Sequence, residues 1–197
     1  GVVLAAVIFS GVLHAQSGPV VGSGNVLNAA SLAADPTNVA APGSIISIFG
    51  QGLASGTASA GGFPLPTVIG NTGVLLGDSF IPLLFVSPNQ INAQIPFEAS
   101  AGTESLTVWV GGRPSSAVSV TIRNTAPGIF TANSSGTGTA IVTTTNGRTI
   151  NGANPAQVGQ EIQVLVTGLG ALVGGSGGSV VTGDRKSTRL NSSHVAL

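Results

Sequence analysis

The stretch 104-ESLTVWVGGRPSSAVSVTI-122 carries two runs of alternating apolar and polar residues, separated by glycine, proline and serine. Alternation with a period of two is typical of a strand that buries one face and exposes the other. The stretch therefore predicts a β-hairpin with a turn over residues 111–116. In the second arm, Val118, Val120 and Ile122 alternate with Ser119 and Thr121.

The predicted core of this region combines the apolar faces of both hairpin arms with a third strand, 44–49, which lies between glycines. It consists of Ile46, Ile48, Leu106, Val108, Val118, Val120 and Ile122. These side chains are expected to be buried, because burial of Val, Ile and Leu is the main favourable term in folding.

Other short apolar runs follow the same pattern. A strand is predicted over 91–95, a tight hairpin at Gly77–Asp78 and a further hairpin at Asn146–Gly147. Helical periodicity is not sustained anywhere between residues 16 and 183. Short strands separated by Gly and Pro turns indicate an all-β, antiparallel sandwich.

Two segments of the chain are similar to each other. The segment 38-NVAAPGSIISIFGQGL-53 aligns with 154-NPAQVGQEIQVLVTGL-169, and Asn, Ala, Gly, Ile and a final Gly-Leu are identical at equivalent positions. We interpret this repeat as two tandem immunoglobulin-like modules. The predicted division is a lead-in segment over 16–37, a first module over 38–125 and a truncated second module over 126–183.

The composition limits the classes of protein to consider. The 197 residues are 42% hydrophobic and 6% charged, with thirty glycines, no cysteine and a formal net charge of zero. Such a chain is too apolar for a disordered protein, and it has no basic surplus to attract nucleic acid. Disulfides are excluded, so packing must stabilise the fold.

The N-terminus reads 1-GVVLAAVIFSGVLHA-15, an uncharged apolar run followed by a small residue. Because the run is shorter than the roughly 20 residues that span a bilayer, it predicts a signal peptide cleaved after Ala15 and not a membrane anchor. The mature protein is expected to be secreted or displayed at the cell surface, without membrane insertion.

The segment 184-DRKSTRLNSSH-194 differs from the rest in composition and contains the chain's only lysine. It matches the translation of a common short-read sequencing adapter. We therefore interpret residues 184–197 as an artefact and expect this tail to make few contacts. Homologous DNA should continue past Gly183 with an unrelated sequence; a long read that keeps this peptide in frame would contradict the interpretation.

Few residues between 16 and 183 can support catalysis. This range contains no His, Lys, Cys, Met or Tyr, and its carboxylates are Asp35, Asp78, Glu98, Glu104 and Glu161. The carboxylates are far apart in sequence and are interpreted as solvated charges. A serine nucleophile lacks a base, and zinc and copper lack their usual ligands. A Ca²⁺ ion at Asp35 or Asp78 has no supporting motif. The sequence predicts a non-enzymatic protein without cofactors.

The segment 87-SPNQINAQIPFE-98 is rich in amides: Asn89, Gln90, Asn92 and Gln94. Amides both donate and accept hydrogen bonds and could contact sugar hydroxyls. The interpretation we favour is that they connect loop backbones and the module junction. Trp109, on the polar side of its strand, could stack on a sugar or anchor a partner. The alternative is that the lead-in segment or the second module covers it.

The segments 44-SIISIFGQGLA-54, 82-PLLFVSPNQINAQIPFEA-99, 126-APGIFT-131 and 154-NPAQVGQEIQVLVTGLG-170 together resemble the uncharacterised Solibacter-type C-terminal domain family of Acidobacteria. That family is commonly found at the ends of large secreted proteins. The start, 42-PGSIISIFGQGL-53, also resembles IPT/TIG immunoglobulin-like modules. The resemblance implies an extracellular β module and supplies no catalytic residues.

These observations predict a secreted, non-enzymatic binding or structural module. The expected partner is an extracellular protein or a cell-surface polysaccharide, as in adhesion. Two alternatives stay open: a carbohydrate-binding accessory module, favoured if Trp109 lies exposed beside the amides, and a fragment of a larger secreted enzyme.

Overall fold

A computed structural model describes residues 18–33 and 38–171, together with the backbone of 184–187 and 190–194. The predicted signal peptide, Asp35 and residues 172–183 lie outside the described residues. Every regular element in the described ranges is a β-strand. The all-β prediction is confirmed.

The strands, in chain order, are β1 (Val20–Asn28), β2 (Val39–Ala40), β3 (Ile45–Gln51), β4 (Ala58–Ser59), β5 (Val68–Ile69), β6 (Thr72–Leu76), β7 (Ser79–Phe80), β8 (Leu83–Val86), β9 (Gln90–Gln94), β10 (Gly102–Val110), β11 (Arg113–Pro114), β12 (Val118–Ile122), β13 (Gly128–Ile129), β14 (Val142–Thr144), β15 (Ile162–Val164), β16 (Val166–Thr167), β17 (Asp184–Ser187) and β18 (Leu190–His194).

Two sheets form the part of the chain from β1 to β12, which we call the first sandwich. One has the strand order β1-β3-β9-β8-β4, and all its pairs are antiparallel. The other has the order β2-β12-β10-β6-β5, with β11 pairing β10 and β7 pairing β6; only its β12–β2 pair is parallel. Buried residues of both sheets form one hydrophobic core. The arrangement is a β-sandwich.

The predicted core is confirmed. Ile46, Ile48, Leu106, Val108, Val118, Val120 and Ile122 are all buried, with relative exposures between 0% and 7%. The same core includes residues that sequence alternation did not single out, among them Val26, Leu53, Ile81 and Leu83. Val26 and Leu83 come from strands too interrupted by Gly, or too short, to show a clear period of two, and Leu53 and Ile81 lie between strands.

The hairpin of residues 104–122 is confirmed, but its predicted turn is wrong in length. Gly111 and Gly112 alone make the turn, with φ of 56° and 80°, and β11 then pairs with the end of β10. Positive φ at both central positions suits the right-handed twist of a two-residue hairpin. The residues between β11 and β12 form a bulge. There, the Ser115 hydroxyl accepts a hydrogen bond from the backbone N–H of Val108 at 3.0 Å.

The two other predicted hairpins are also present. β6 and β7 pair across Gly77–Asp78. Around Asn146–Gly147, Thr143 bridges to Thr149. The strand predicted over 91–95 is β9, shifted by one residue towards the N-terminus.

The lead-in segment contributes to the first sandwich. Its residues 20–28 form β1, which pairs with β3 and buries Val26 completely. The register shifts between Val21 and Val26, where Gly22 and Gly24 interrupt the apolar alternation. This irregularity is why the sequence pattern did not indicate a strand.

Residues 124–171 form two small two-stranded sheets, β13–β16 and β14–β15. The repeated glycines have similar backbones in both segments: φ is 73° at Gly43 and 82° at Gly159, and 64° at Gly52 and 78° at Gly168. Shared left-handed glycines support a common turn-strand-turn pattern. The division into two related modules stays a prediction.

Residues 124–171, which we call the C-terminal region, are joined to the first sandwich by buried and half-buried hydrogen bonds. The Asn28 amide donates to the carbonyl of Ala126 at 2.8 Å. The backbone N–H of Ile45 lies one residue beyond the last β1–β3 pair, and it donates to the Thr167 hydroxyl at 2.8 Å. Thr167 thus supplies the acceptor for this N–H, while Ala29, directly after β1, donates to the carbonyl of Ile45 at 3.0 Å.

The tail forms the antiparallel pair β17–β18, and β18 lies beside β15. The expectation that the tail makes few contacts is therefore wrong. The pairing of β17 with β18 uses backbone hydrogen bonds, which do not require particular side chains.

Replacing Val120 with alanine should lower the free energy of unfolding by about 1–3 kcal/mol, because Val120 is fully buried between the sheets. The exposed neighbour Ser119 provides the control, and Ser119→Ala should change stability by less than about 0.5 kcal/mol. Urea unfolding of both variants measures the difference. Equal losses would contradict the assigned strand register.

Candidate functional site

The predicted amide residues lie on and beside β9, which follows β8 after a turn at Pro88–Asn89. The turn is stabilised by the Ser87 hydroxyl, which accepts from the backbone N–H of Gln90 at 3.0 Å. Along β9, Ile91 and Ala93 point into the core, so Gln90, Asn92 and Gln94 point to the outer face of the five-stranded sheet. The sequence-based assignment of sides is confirmed for this strand.

Register places two phenylalanines on the same outer face. Phe49 of β3 is the cross-strand partner of Gln90, and Phe85 of β8 is the partner of Asn92. Both rings are half-buried. We call Phe49, Phe85, Gln90 and Asn92 the amide–phenyl strip.

A small hydrogen-bond network holds the two amides of the strip. The Oδ1 atom of Asn92 accepts from the Ser47 hydroxyl at 3.0 Å and from the Gln90 side-chain amide at 2.8 Å. Within the described ranges, Nδ2 of Asn92 and Oε1 of Gln90 have no hydrogen-bond partner, and neither atom is buried. One donor and one acceptor therefore face outwards from a fixed position.

The remaining two amides differ from each other. Gln94 is fully buried, and its cross-strand partner Ile45 is hydrogen-bonded to Thr167 of the C-terminal region. Gln94 therefore cannot contact a ligand, and its assignment as a contact residue is wrong. Asn89 is exposed and borders a cleft of about 440 Å³, together with Asn25, Phe49 and Gln51. The cleft continues the strip at the end opposite to Gln94.

Trp109 lies on the other sheet, so it is not beside the amides. It is the cross-strand partner of Gly73, and Gly73 in turn pairs with Val68. A Cβ at Gly73 would lie 2.9 Å from the Phe80 ring, so the missing side chain leaves room for that ring next to Trp109. Leu75 pairs with Phe80 on the same face. We call Val68, Leu75, Phe80 and Trp109 the outer apolar patch.

The patch is only partly covered. Val68 is 50% exposed and Phe80 is 46% exposed, whereas Trp109 is half-buried. The indole N–H of Trp109 is buried and has no hydrogen-bond partner among the described residues. This N–H is not available to a ligand at the surface, so what Trp109 offers a partner is its ring.

The acidic residues are not assembled into a site. Within the described ranges, no group of three or more His, Cys, Asp or Glu side chains is close enough to hold a metal ion. Asp78 is exposed in the β6–β7 turn, and Glu98 and Glu161 are exposed elsewhere. Glu104 is half-buried beside Gly77.

Sequence comparison finds a similarity to a known domain family within the first sandwich. Residues 33–125 match the IPT/TIG domain model. The match covers less than half of the chain, but it includes β2 to β12, the amide–phenyl strip and the outer apolar patch. A search of the curated proteins found no match. Among the residues that the structure describes, there is no helix long and apolar enough to cross a membrane.

The IPT/TIG match agrees with the β-sandwich and confirms the immunoglobulin-like resemblance of this region. IPT/TIG domains are non-catalytic immunoglobulin-like modules, and this favours a binding or structural role. The edge strand β1 precedes the matched range and adds one strand to the five-stranded sheet.

Proposed function

We propose that this chain is a secreted, non-enzymatic binding module that associates with an extracellular or cell-surface protein through the outer apolar patch. The observation that carries the proposal is the clustering of exposed apolar side chains, Val68 and Phe80, around the half-buried ring of Trp109 on one sheet face.

The chemistry of the patch supports a protein partner. Val68, Leu75, Phe80 and Trp109 are all uncharged, and a β-sheet face presents them on one surface. Clustered exposed apolar residues mark protein interfaces, whereas single ones are common on any protein. Aromatic side chains are also enriched among the residues that contribute most to binding. Ile129, 49% exposed on β13, lies outside this cluster.

Secretion is the second part of the proposal. It rests on the uncharged apolar N-terminal run that ends in a small residue at position 15. The proposal of a non-enzymatic role rests on the IPT/TIG match over the region that carries both candidate surfaces.

Charge introduced into the patch should abolish association. The immobilised chain is incubated with the secreted proteins of the organism that encodes it, and the retained proteins are quantified for wild type, Val68→Asp and Phe80→Asp. We expect both variants to lose at least about tenfold of the specific retention, because each buries an unpaired carboxylate in the contact. Circular dichroism verifies that the variants are folded.

Ile129→Asp is the matched control, because it adds the same charge at a similarly exposed apolar position. It should retain the wild-type set of proteins. If all three variants retain the same proteins as wild type, the outer apolar patch is not the binding surface.

A further inference from the structure

We propose that the amide–phenyl strip is a second binding site, and that its ligand is a neutral polysaccharide. The strip lies on the opposite sheet from the outer apolar patch, so this inference does not depend on a protein partner. It places the carbohydrate contact at Phe49 and Phe85 and not at Trp109.

The two rings provide surfaces for sugar faces. Phe49 and Phe85 lie on β3 and β8, with β9 between them. Across the sheet, the two rings are two strand spacings apart, about 10 Å. Along the strands they are offset by two residues, about 7 Å, because Phe49 pairs with Gln90 and Phe85 pairs with Asn92. A ligand that contacts both rings must be longer than one sugar ring. This favours a chain over a monosaccharide.

The amides between the rings match sugar hydroxyls. A hydroxyl both donates and accepts, and the strip offers the free donor of Asn92 and the free acceptor of Gln90. The bonds from Ser47 and Gln90 to Oδ1 of Asn92 fix the amide plane before a ligand arrives. Groups that are already ordered lose less entropy on binding.

The surroundings of the strip favour a ligand without charge. The adjoining cleft of about 440 Å³ is lined by Asn25, Phe49, Gln51, Asn89 and by glycine and valine residues, none of them charged. Nucleic acids and polyuronates rely on Lys and Arg for much of their affinity. A neutral glucan or a similar hydroxyl-rich chain is the chemistry that this surface complements.

The test is native gel electrophoresis of the chain in gels that contain a soluble neutral β-1,3-glucan, β-1,4-glucan or α-1,4-glucan, with a polyuronate gel for comparison. At least one neutral glucan should retard the wild-type chain. Asn92→Ala and Phe85→Leu should each weaken the apparent affinity about three- to tenfold, the range expected for one hydrogen bond or one ring contact. Phe85→Tyr keeps the ring and should retain binding.

Gln157→Ala is the control for amide removal, because Gln157 is exposed in the C-terminal region away from the strip. Thermal unfolding of each variant separates loss of binding from loss of structure. Trp109 is the only tryptophan, so its emission reports on the other sheet and should not shift when glucan binds. No retardation by any neutral glucan, retardation unchanged in Asn92→Ala and Phe85→Leu, retardation by polyuronate alone, or a Trp109 shift would overturn the inference.

Discussion

Replacing Gly43 with alanine is expected to lower the free energy of unfolding by about 2–5 kcal/mol. Two effects combine at this position. The φ of 73° lies in the left-handed region, which costs a residue with a Cβ about 1–2 kcal/mol. The added Cβ would also overlap the ring of Phe97, which is 9% exposed and has limited room to move, and overpacking costs about 1–3 kcal/mol.

Gly159 is the matched control, because it occupies the equivalent place in the repeat. Its φ is 82°, but a Cβ there would meet no atom within 4 Å. Gly159→Ala should therefore show the backbone cost alone, and the difference between the variants isolates the Phe97 contact. Equal losses in denaturant unfolding would mean that Phe97 moves away without cost.

Removing the side-chain hydrogen bonds of Thr167 and Asn28 between the C-terminal region and the first sandwich should destabilise their junction by about 1.5–4.5 kcal/mol. Thr167→Val leaves the buried N–H of Ile45 without an acceptor, at a cost of about 1–3 kcal/mol. Asn28→Ala removes its bond to the carbonyl of Ala126, which contributes about 0.5–1.5 kcal/mol to the junction. The double variant should expose residues 124–171 to proteolysis first.

Thr167→Ser keeps the hydroxyl and provides the control for this junction. It should retain protection of the C-terminal region, as measured by limited proteolysis and amide hydrogen exchange. If Thr167→Val and Asn28→Ala together leave exchange in residues 124–171 unchanged, these bonds do not hold the two parts together.

The hairpin and the core were predictable because their signal is local. Val118, Val120 and Ile122 show a period of two within five residues, and burial of that face follows directly. The length of the turn was not predictable from the pattern alone. Arg113 and Pro114 look like turn residues, yet they continue the pairing because Gly111 and Gly112 together can make the reversal.

The candidate site required information that a single sequence does not carry. Which side Gln90 and Asn92 face follows from alternation, but their neighbours Phe49 and Phe85 depend on how β3, β9 and β8 pair. Phe49 is 41 residues from Gln90 in sequence, and no local pattern connects them. The strand order therefore adds the two rings that the sequence-based patch lacked.

The two corrections at the site have the same origin. Gln94 has the same alternation as Asn92, but the C-terminal region reaches its cross-strand partner Ile45 and this end of the face is closed. Trp109 belongs to the second sheet, so the two candidate surfaces lie on opposite faces of one sandwich. Under the two proposals, one side of the sandwich contacts a protein and the other a polysaccharide.

The most direct test of the binding role is site-specific photo-crosslinking. A photoreactive amino acid replaces Val68 in one variant and Ile129 in another, since the two residues are 50% and 49% exposed. Each variant is irradiated in the presence of the secreted proteins of the encoding organism. A discrete adduct from position 68, absent from position 129 and suppressed by Phe80→Asp, is the expected result. Equal labelling at both positions, or no adduct from position 68, would contradict a binding module that uses the outer apolar patch.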